Sequence, residues 1–235
     1  MFFWGLDPLY LILAIPGLII AGIASAMVKS TFNKYSKIQS RGGMTGAQAA
    51  YAMLQRSGIT DVKIERINGF LSDHYDPAAK TLRLSSNVYD SKSLSAIGVA
   101  CHEAGHALQH ADSYIWLGMR TFLVPTASIG SNFSYILFII GLFAHSIIML
   151  KLAILMFSAA VLFTIITLPV EWNASARAKI AMVNCDIVSP SEANDAGKVL
   201  NAAFMTYVAA VISAIMTLLY FLIRSGLLGG GGKDN

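Results

Sequence analysis

The 235-residue chain is poor in charge: 13% of it is Asp, Glu, Lys or Arg, against 55% hydrophobic residues and a mean hydropathy of +0.60. Soluble globular domains carry about 25% charged residues, so this balance excludes an ordinary water-soluble fold and points to a membrane protein. Cysteine is scarce as well. Cys101 and Cys185 are too few for a disulfide framework. No Lys or Arg precedes the first apolar run, whereas Lys29, Lys34, Lys37 and Arg41 follow it. Despite the Ala24-Ser25-Ala26 triplet, that arrangement argues against a cleaved signal peptide and predicts an uncleaved anchor with its N-terminus outside. The net charge of +4 comes mostly from Lys and Arg flanking apolar segments, which marks membrane topology and no nucleic-acid partner.

What the chain has in quantity is apolar length. Residues 9–28, 124–144, 151–170 and 203–223 form four stretches, each able to cross a bilayer core of about 30 Å. Pro16 and Gly17 predict a kink in the first. The second contains Thr126, Ser128, Ser131, Asn132 and Ser134, so it is expected to begin late or to line a polar groove. Fourteen Lys and Arg, from Lys29 to Arg120 and at Arg177, Lys179 and Lys198, fall on one side of these spans. Only Lys151, Arg224 and Lys233 fall on the other. The positive-inside rule therefore places the larger set in the cytoplasm, with both termini outside the plasma membrane of a bacterial cell. The expected division is an anchor at 1–28, a cytoplasmic catalytic region at 29–122 and two spans within 123–170. A cytoplasmic helical segment at 171–202, a last span at 203–228 and a flexible Gly-rich tail at 229–235 complete it.

Within the polar region, Thr45-Gly46-Ala47-Gln48 reads as a capping box opening a helix that ends near Gly58. Val62, Ile64 and Ile67 alternate with charged residues as in a half-buried strand. Residues 70–75 and 81–85 predict a hairpin whose turn is 76–80. Asp90 or Ser91 is placed to cap a helix from Lys92 to Ala111, too short in its apolar part to span a membrane. Ser189-Pro190-Ser191-Glu192 is a second capping box, opening a helix that leads into the fourth span.

The helix at 92–111 carries His102-Glu103-Ala104-Gly105-His106, an H-E-x-x-H pattern. Random placement of five His and four Glu would give it with a probability of only about 0.002. On a helix the two imidazoles lie one turn apart on one face and can reach the same metal ion. Glu103 is then placed to act as general base toward water at that metal. The competing reading is a buried helix whose histidines satisfy only neighbouring groups. Cys101 beside the motif points off the metal face and reads as a small buried residue.

Catalytic zinc usually takes three protein ligands. Glu171, directly after the third apolar stretch, is the favoured third, because a carboxylate at the edge of an apolar helix needs a partner. Asp112, six residues after His106, is the alternative, but Gln109 stands where a turn-forming Gly would be needed. A solvated Glu171, or one paired with Arg177, also stays open. An intramembrane protease of the site-2 type would need the motif inside a full span and a downstream Asp-Gly ligand, and neither is present.

Three segments carry a resemblance: residues 71–77 (Leu-Ser-Asp-His-Tyr-Asp-Pro), 96–109 around the two histidines, and 169–175 (Pro-Val-Glu-Trp-Asn-Ala-Ser). On these the chain resembles the YugP-like family of predicted bacterial membrane zinc metallopeptidases. More distantly it is similar to HtpX-type gluzincin membrane proteases, in which a Glu opening an E-x-x-A pattern is the third ligand. Glu171-Trp172-Asn173-Ala174 fits that pattern, with Asn173 where an Asp is expected. The resemblance implies an α-helical membrane protein of about four transmembrane helices with a small α+β, zincin-like cytoplasmic catalytic region. It implies one Zn2+ per chain and hydrolysis of peptide bonds in peptides or in unfolded or membrane proteins, with a role in membrane-protein quality control.

His74, Tyr75, His110 and Arg177 are candidates to stabilise the developing oxyanion, and Asn173 to accept a supporting hydrogen bond. An extended substrate could add to the edge of the hairpin containing residues 81–85. Two other classes stay in view. A proteolytically inactive scaffold or chaperone would hold zinc structurally, its fourth position closed by Asp112 or His110. A metal transporter or sensor would need ionisable residues deep in several spans, and these spans are nearly free of them. Nothing in the sequence sets an oligomeric state.

Overall fold

The computed structural model describes residues 7–228. The predicted tail at 229–235 and the first six residues of the predicted anchor lie outside the described residues. The described chain is mostly helical. Its helices α1 (Pro8–Tyr35), α5 (Ile115–Phe143), α6 (Ile147–Asn184) and α7 (Pro190–Arg224) cover the four expected spans, the second up to its last residue, and each is long and apolar enough to cross a membrane. Between α1 and α5 lie α2 (Gly46–Arg56), β1 (Lys63–Ile67), β2 (His74–Asp76), β3 (Thr81–Ser85), α3 (Ser86–Tyr89) and α4 (Leu94–Ala111).

The chain divides into two compact units. Of the described residues the first takes 7–23, 119–168 and 207–228, and is built from the apolar portions of the four long helices. Its core is aromatic: Phe138 stacks on Phe221 at 3.9 Å, and Phe157 and Tyr220 are buried beside them. Leu18, Phe122, Phe133 and Leu155 remain exposed, a surface suited to lipid and not to water. Helix α5 starts at Ile115, ahead of the expected span at 124–144. Its polar residues do not break the helix because they bond its own carbonyls: Ser131 Oγ and Asn132 Nδ2 both donate to Ser128 O, at 3.2 and 2.9 Å.

The second unit, residues 24–118 and 169–206, holds all three strands. The sheet order is β1-β3-β2, with β1 parallel and β2 antiparallel to β3. The predicted hairpin is present, with its first arm shortened to His74–Asp76. Because β3 is central, both its edges are taken, and the free edge of the hairpin containing residues 81–85 is β2. Burial of Thr81, Leu82, Leu84 and Ser85 fits this central place. Leu82 and Leu84 join Met53, Leu54, Ile97, Cys101 and Met182 in one core.

Caps fix the helix ends. Thr45 Oγ1 accepts from Gln48 N at 3.2 Å and Gln48 Oε1 accepts from Thr45 N at 2.9 Å, the expected capping box. Glu192 and Ser189 form the second box, and Glu192 also accepts from Arg41 N at 2.8 Å. The cap of α4 is a correction. Ser93, not Asp90 or Ser91, accepts from Ala96 N, while Asp90 pairs with Arg66 at 2.8 Å and Ser91 donates to Ser93 Oγ. Helix α6 is unbroken through Glu171; its 38 residues extend about 57 Å, far beyond the thickness of an apolar bilayer core.

Candidate metal centre

Helix α4 brings small residues to its neighbours, and this controls how near they come. A Cβ added to Gly105 would lie 2.6 Å from the carbonyl oxygen of Ala174 on α6. At that separation His102 and His106, one turn apart on α4, meet Glu171 on α6. His102 Nε2 lies 3.2 Å and His106 Nε2 3.6 Å from Glu171 Oε2, and one ligand atom from each of the three lies within 4.8 Å of the others. Glu171 is 2% exposed and His106 7%. Burial pushes the Glu171 carboxyl up, but hydrogen bonds and charge from His102 and His106 outweigh it, holding the carboxyl well below the usual carboxylate range.

The far side of each imidazole is tethered. Gln109 Nε2 donates to Val170 O at 2.8 Å and to Asn173 Oδ1 at 3.0 Å, so its Oε1 is left to accept from His106 Nδ1 at 3.0 Å. That places a proton on His106 Nδ1 and makes Nε2, on the Glu171 side, the nitrogen that would bind a metal. Ser175 Oγ bonds His102 Nδ1 at 3.0 Å. Asn173 Oδ1 also accepts from Arg177 Nε at 2.8 Å, and Arg177 pairs with Asp112. The place where an Asp was expected is thus filled by an acceptor of two hydrogen bonds. Asp112 is engaged by Arg177 and is not among the residues grouped with the two histidines.

Glu103 lies on α4 beside His102 and is 9% exposed. Near it stands Asp73, whose carboxylate accepts from Ser85 N at 2.7 Å and from Ser85 Oγ at 3.0 Å. Burial raises the Asp73 carboxyl, the Ser85 bonds oppose this, and the Glu103 charge adds to the rise. Tyr75 on β2 and His110 on α4 come together, with Tyr75 Oη 2.9 Å from His110 Nδ1. They line a cavity of about 290 Å³ together with Ile59, Val62, Ala107 and Ala111. Burial, with the Asp61 and Asp76 charges behind it, raises the Tyr75 hydroxyl. His74 is exposed and bonds Ser72 O at 2.9 Å. Cys101 is fully buried, and burial raises its thiol far above the ordinary range, as fits a packing residue.

The sequence reading overlooked the supporting roles of Gln109 and Ser175. Their spacing was available as a signal: Gln109 is three residues after His106, and Ser175 four after Glu171, each on its ligand's helix face. Asp73 had no such signal, because its neighbours Ser85 and Glu103 are brought to it by the sheet.

Comparison with known proteins agrees with this geometry. Residues 10–226 match the family model described as "Putative neutral zinc metallopeptidase", and the chain belongs to that family. It is 44% identical over 215 residues to "Putative membrane protease YugP" of Bacillus subtilis (strain 168), a match covering 92% of this chain and 96% of that protein. No solved structure matches the chain.

Proposed function

We propose that the protein is a membrane-embedded zinc metalloendopeptidase cleaving peptide bonds at the cytoplasmic membrane surface. The observation that carries this reading is the convergence of His102, His106 and Glu171, with both far imidazole nitrogens tethered. The donor set fits zinc. Tetrahedral ligands about 2.1 Å from one ion stand about 3.4 Å apart, against 3.2 and 3.6 Å for the two His–Glu pairs. One Zn2+ held there supplies an activated water and a polarised carbonyl.

The remaining chemistry belongs to the chain. Glu103 takes the proton of the attacking water and returns it to the leaving amine. The free edge of β2 offers backbone groups to an extended substrate. His110 stands one turn beyond His106 on α4, and it and Tyr75 of β2, bonded to it, donate toward the developing oxyanion. Arg177 and Asn173 brace Gln109 and hence His106, a positioning part. In the same reading both termini lie outside the cell, the substrates are unfolded or membrane proteins, and the enzyme serves membrane-protein quality control. Unchanged turnover of membrane proteins in a deletion strain would remove that last role.

The alternative is a scaffold with a closed structural zinc site. Two donors that would close it, His110 and Asp112, are engaged by Tyr75 and Arg177, which favours an open position. The deciding experiment is zinc content and casein cleavage of detergent-purified protein beside Glu103→Gln, Glu171→Gln and Asp112→Asn. Zinc kept but cleavage lost in Glu103→Gln, with both lost in Glu171→Gln, supports the peptidase. Zinc retained in Glu171→Gln and lost in Asp112→Asn overturns the ligand set, and full zinc without any cleavage moves the reading to the scaffold.

A further inference from the structure

The loop between β1 and β2 turns two large apolar side chains outward. Phe70 is 50% exposed and Leu71 37%. Its backbone is held in that form: Gly69 has φ 120° and Leu71 φ 53°, a left-handed conformation costly for a Leu, and Ser72 Oγ closes the loop on Asn68 O at 3.2 Å. Strain that keeps apolar groups outside is unexpected for a loop facing water.

The position of the loop identifies what it meets. Phe70 packs edge-on against Phe32 of α1, ring centroids 5.7 Å apart. The apolar run of α1 ends at Val28, and Phe32 lies four residues on, about 6 Å along the helix axis. Headgroup layers are about 5–7 Å deep on each side of the hydrocarbon, so a hydrocarbon edge at Val28 would put Phe32 and the loop beside it at headgroup level. Lys29, Lys34 and Lys37 flank the same end of the run. Elsewhere in this unit, Trp172 sits two residues past the apolar run of α6 and is 56% exposed. Phe204 packs on it at 5.2 Å and Lys179 Nζ lies 5.7 Å from its ring, a pairing typical of the aromatic belt at a membrane surface.

We propose that the loop at residues 68–72 dips into the lipid interface, with Phe70 and Leu71 among the headgroups. Asp73 and β2 follow the loop directly, so its anchorage holds the free edge of β2 at the bilayer surface. If the proposed peptidase reading holds, that edge receives chain segments as they leave the membrane.

The test labels Phe70→Cys with a nitrobenzoxadiazole fluorophore, both native cysteines being changed to Ala. The full chain is placed in nanodiscs of phosphatidylcholine and phosphatidylglycerol. Emission should fall by about half with a lipid carrying a doxyl group near its headgroup, whatever the access of aqueous iodide to the hydrated headgroup layer. Strong quenching by iodide with none by the doxyl lipid would show a water-facing loop and overturn the proposal. Shielding from both would also overturn it, assigning Phe70 to a protein contact such as a second copy. Labelling Leu71→Cys supplies a second site should the first disturb folding. No catalysis enters the readout, so it is decided separately from the peptidase reading.

Discussion

Gly105 on α4 faces the Ala174 carbonyl of α6 so closely that a single added carbon would stand 2.6 Å from the oxygen. Backbone, unlike a flexible side-chain end, cannot step aside, so Gly105→Ala forces the two helices apart. Overpacking of this kind costs about 1–3 kcal/mol. The same displacement moves His102 and His106 away from Glu171. We expect a lowered unfolding temperature in detergent and reduced zinc content, both measurable on one preparation. Normal zinc content in the variant would show that the helices tolerate separation.

Gln109→Ala probes the tether on His106. It leaves the His106 Nδ1–H without its Gln109 partner in a buried position. An unsatisfied buried polar group costs about 1–3 kcal/mol, and loss of a supporting hydrogen bond on a ligand lowers metal affinity about 10–100-fold. Competition against a zinc-binding dye gives that ratio directly. An unchanged affinity would mean that packing alone orients His106.

These two residues mark where the sequence was and was not legible. His102 and His106 could be read because their spacing is a property of one helix. Glu171 could be read because a carboxylate ending an apolar run needs a cation nearby. Gln109 and Ser175 were visible as residues, but their function exists only once α4 lies against α6. The parallel pairing of β1 with β3 was equally hidden: alternation in residues 62–67 gives a strand without naming its neighbour. The polar residues of α5 are legible in the sequence, but not that the helix's own carbonyls satisfy Ser131 and Asn132.

Asp112→Asn separates the two candidate third ligands by stability as well as by metal. The Arg177–Asp112 pair is largely exposed on the Asp side, with 62% of that side chain accessible. Exposed pairs contribute about 1 kcal/mol or less, so the variant should unfold within a few degrees of the parent and keep its zinc. Loss of the metal would restore Asp112 to the ligand set.

Asp73 supplies a pH signature. Its folded carboxyl lies above the ordinary value of 3.8 because of burial, with the Glu103 charge adding to it. Between the unfolded value and that raised value the folded chain binds more protons than the unfolded chain. Stability attributable to Asp73 is therefore greatest below 3.8 and falls as pH rises through the raised value. Asp73→Asn removes this titration and keeps an acceptor for Ser85. With metal chelated in both proteins, the unfolding temperature of the variant minus that of the parent should climb with pH from acid upward and then level off. A flat difference would show that Asp73 keeps an ordinary carboxyl in the fold.

Tyr75→Phe tests whether the Tyr75–His110 pair acts on the reaction. The two are joined at 2.9 Å, and His110 stands one helical turn beyond His106. The substitution removes one hydroxyl and keeps the ring that lines the cavity with Ala107 and Ile59. If the pair donates to the oxyanion, its bond strengthens only as charge develops, so kcat falls and KM stays nearly constant. Loss of one such donor lowers kcat by about 100–1,000-fold. His110→Ala should produce a comparable loss, and the double variant little more than either alone, because residues acting as a unit are not additive. A raised KM with unchanged kcat would assign Tyr75 to substrate binding. Additive losses would show that Tyr75 and His110 act separately.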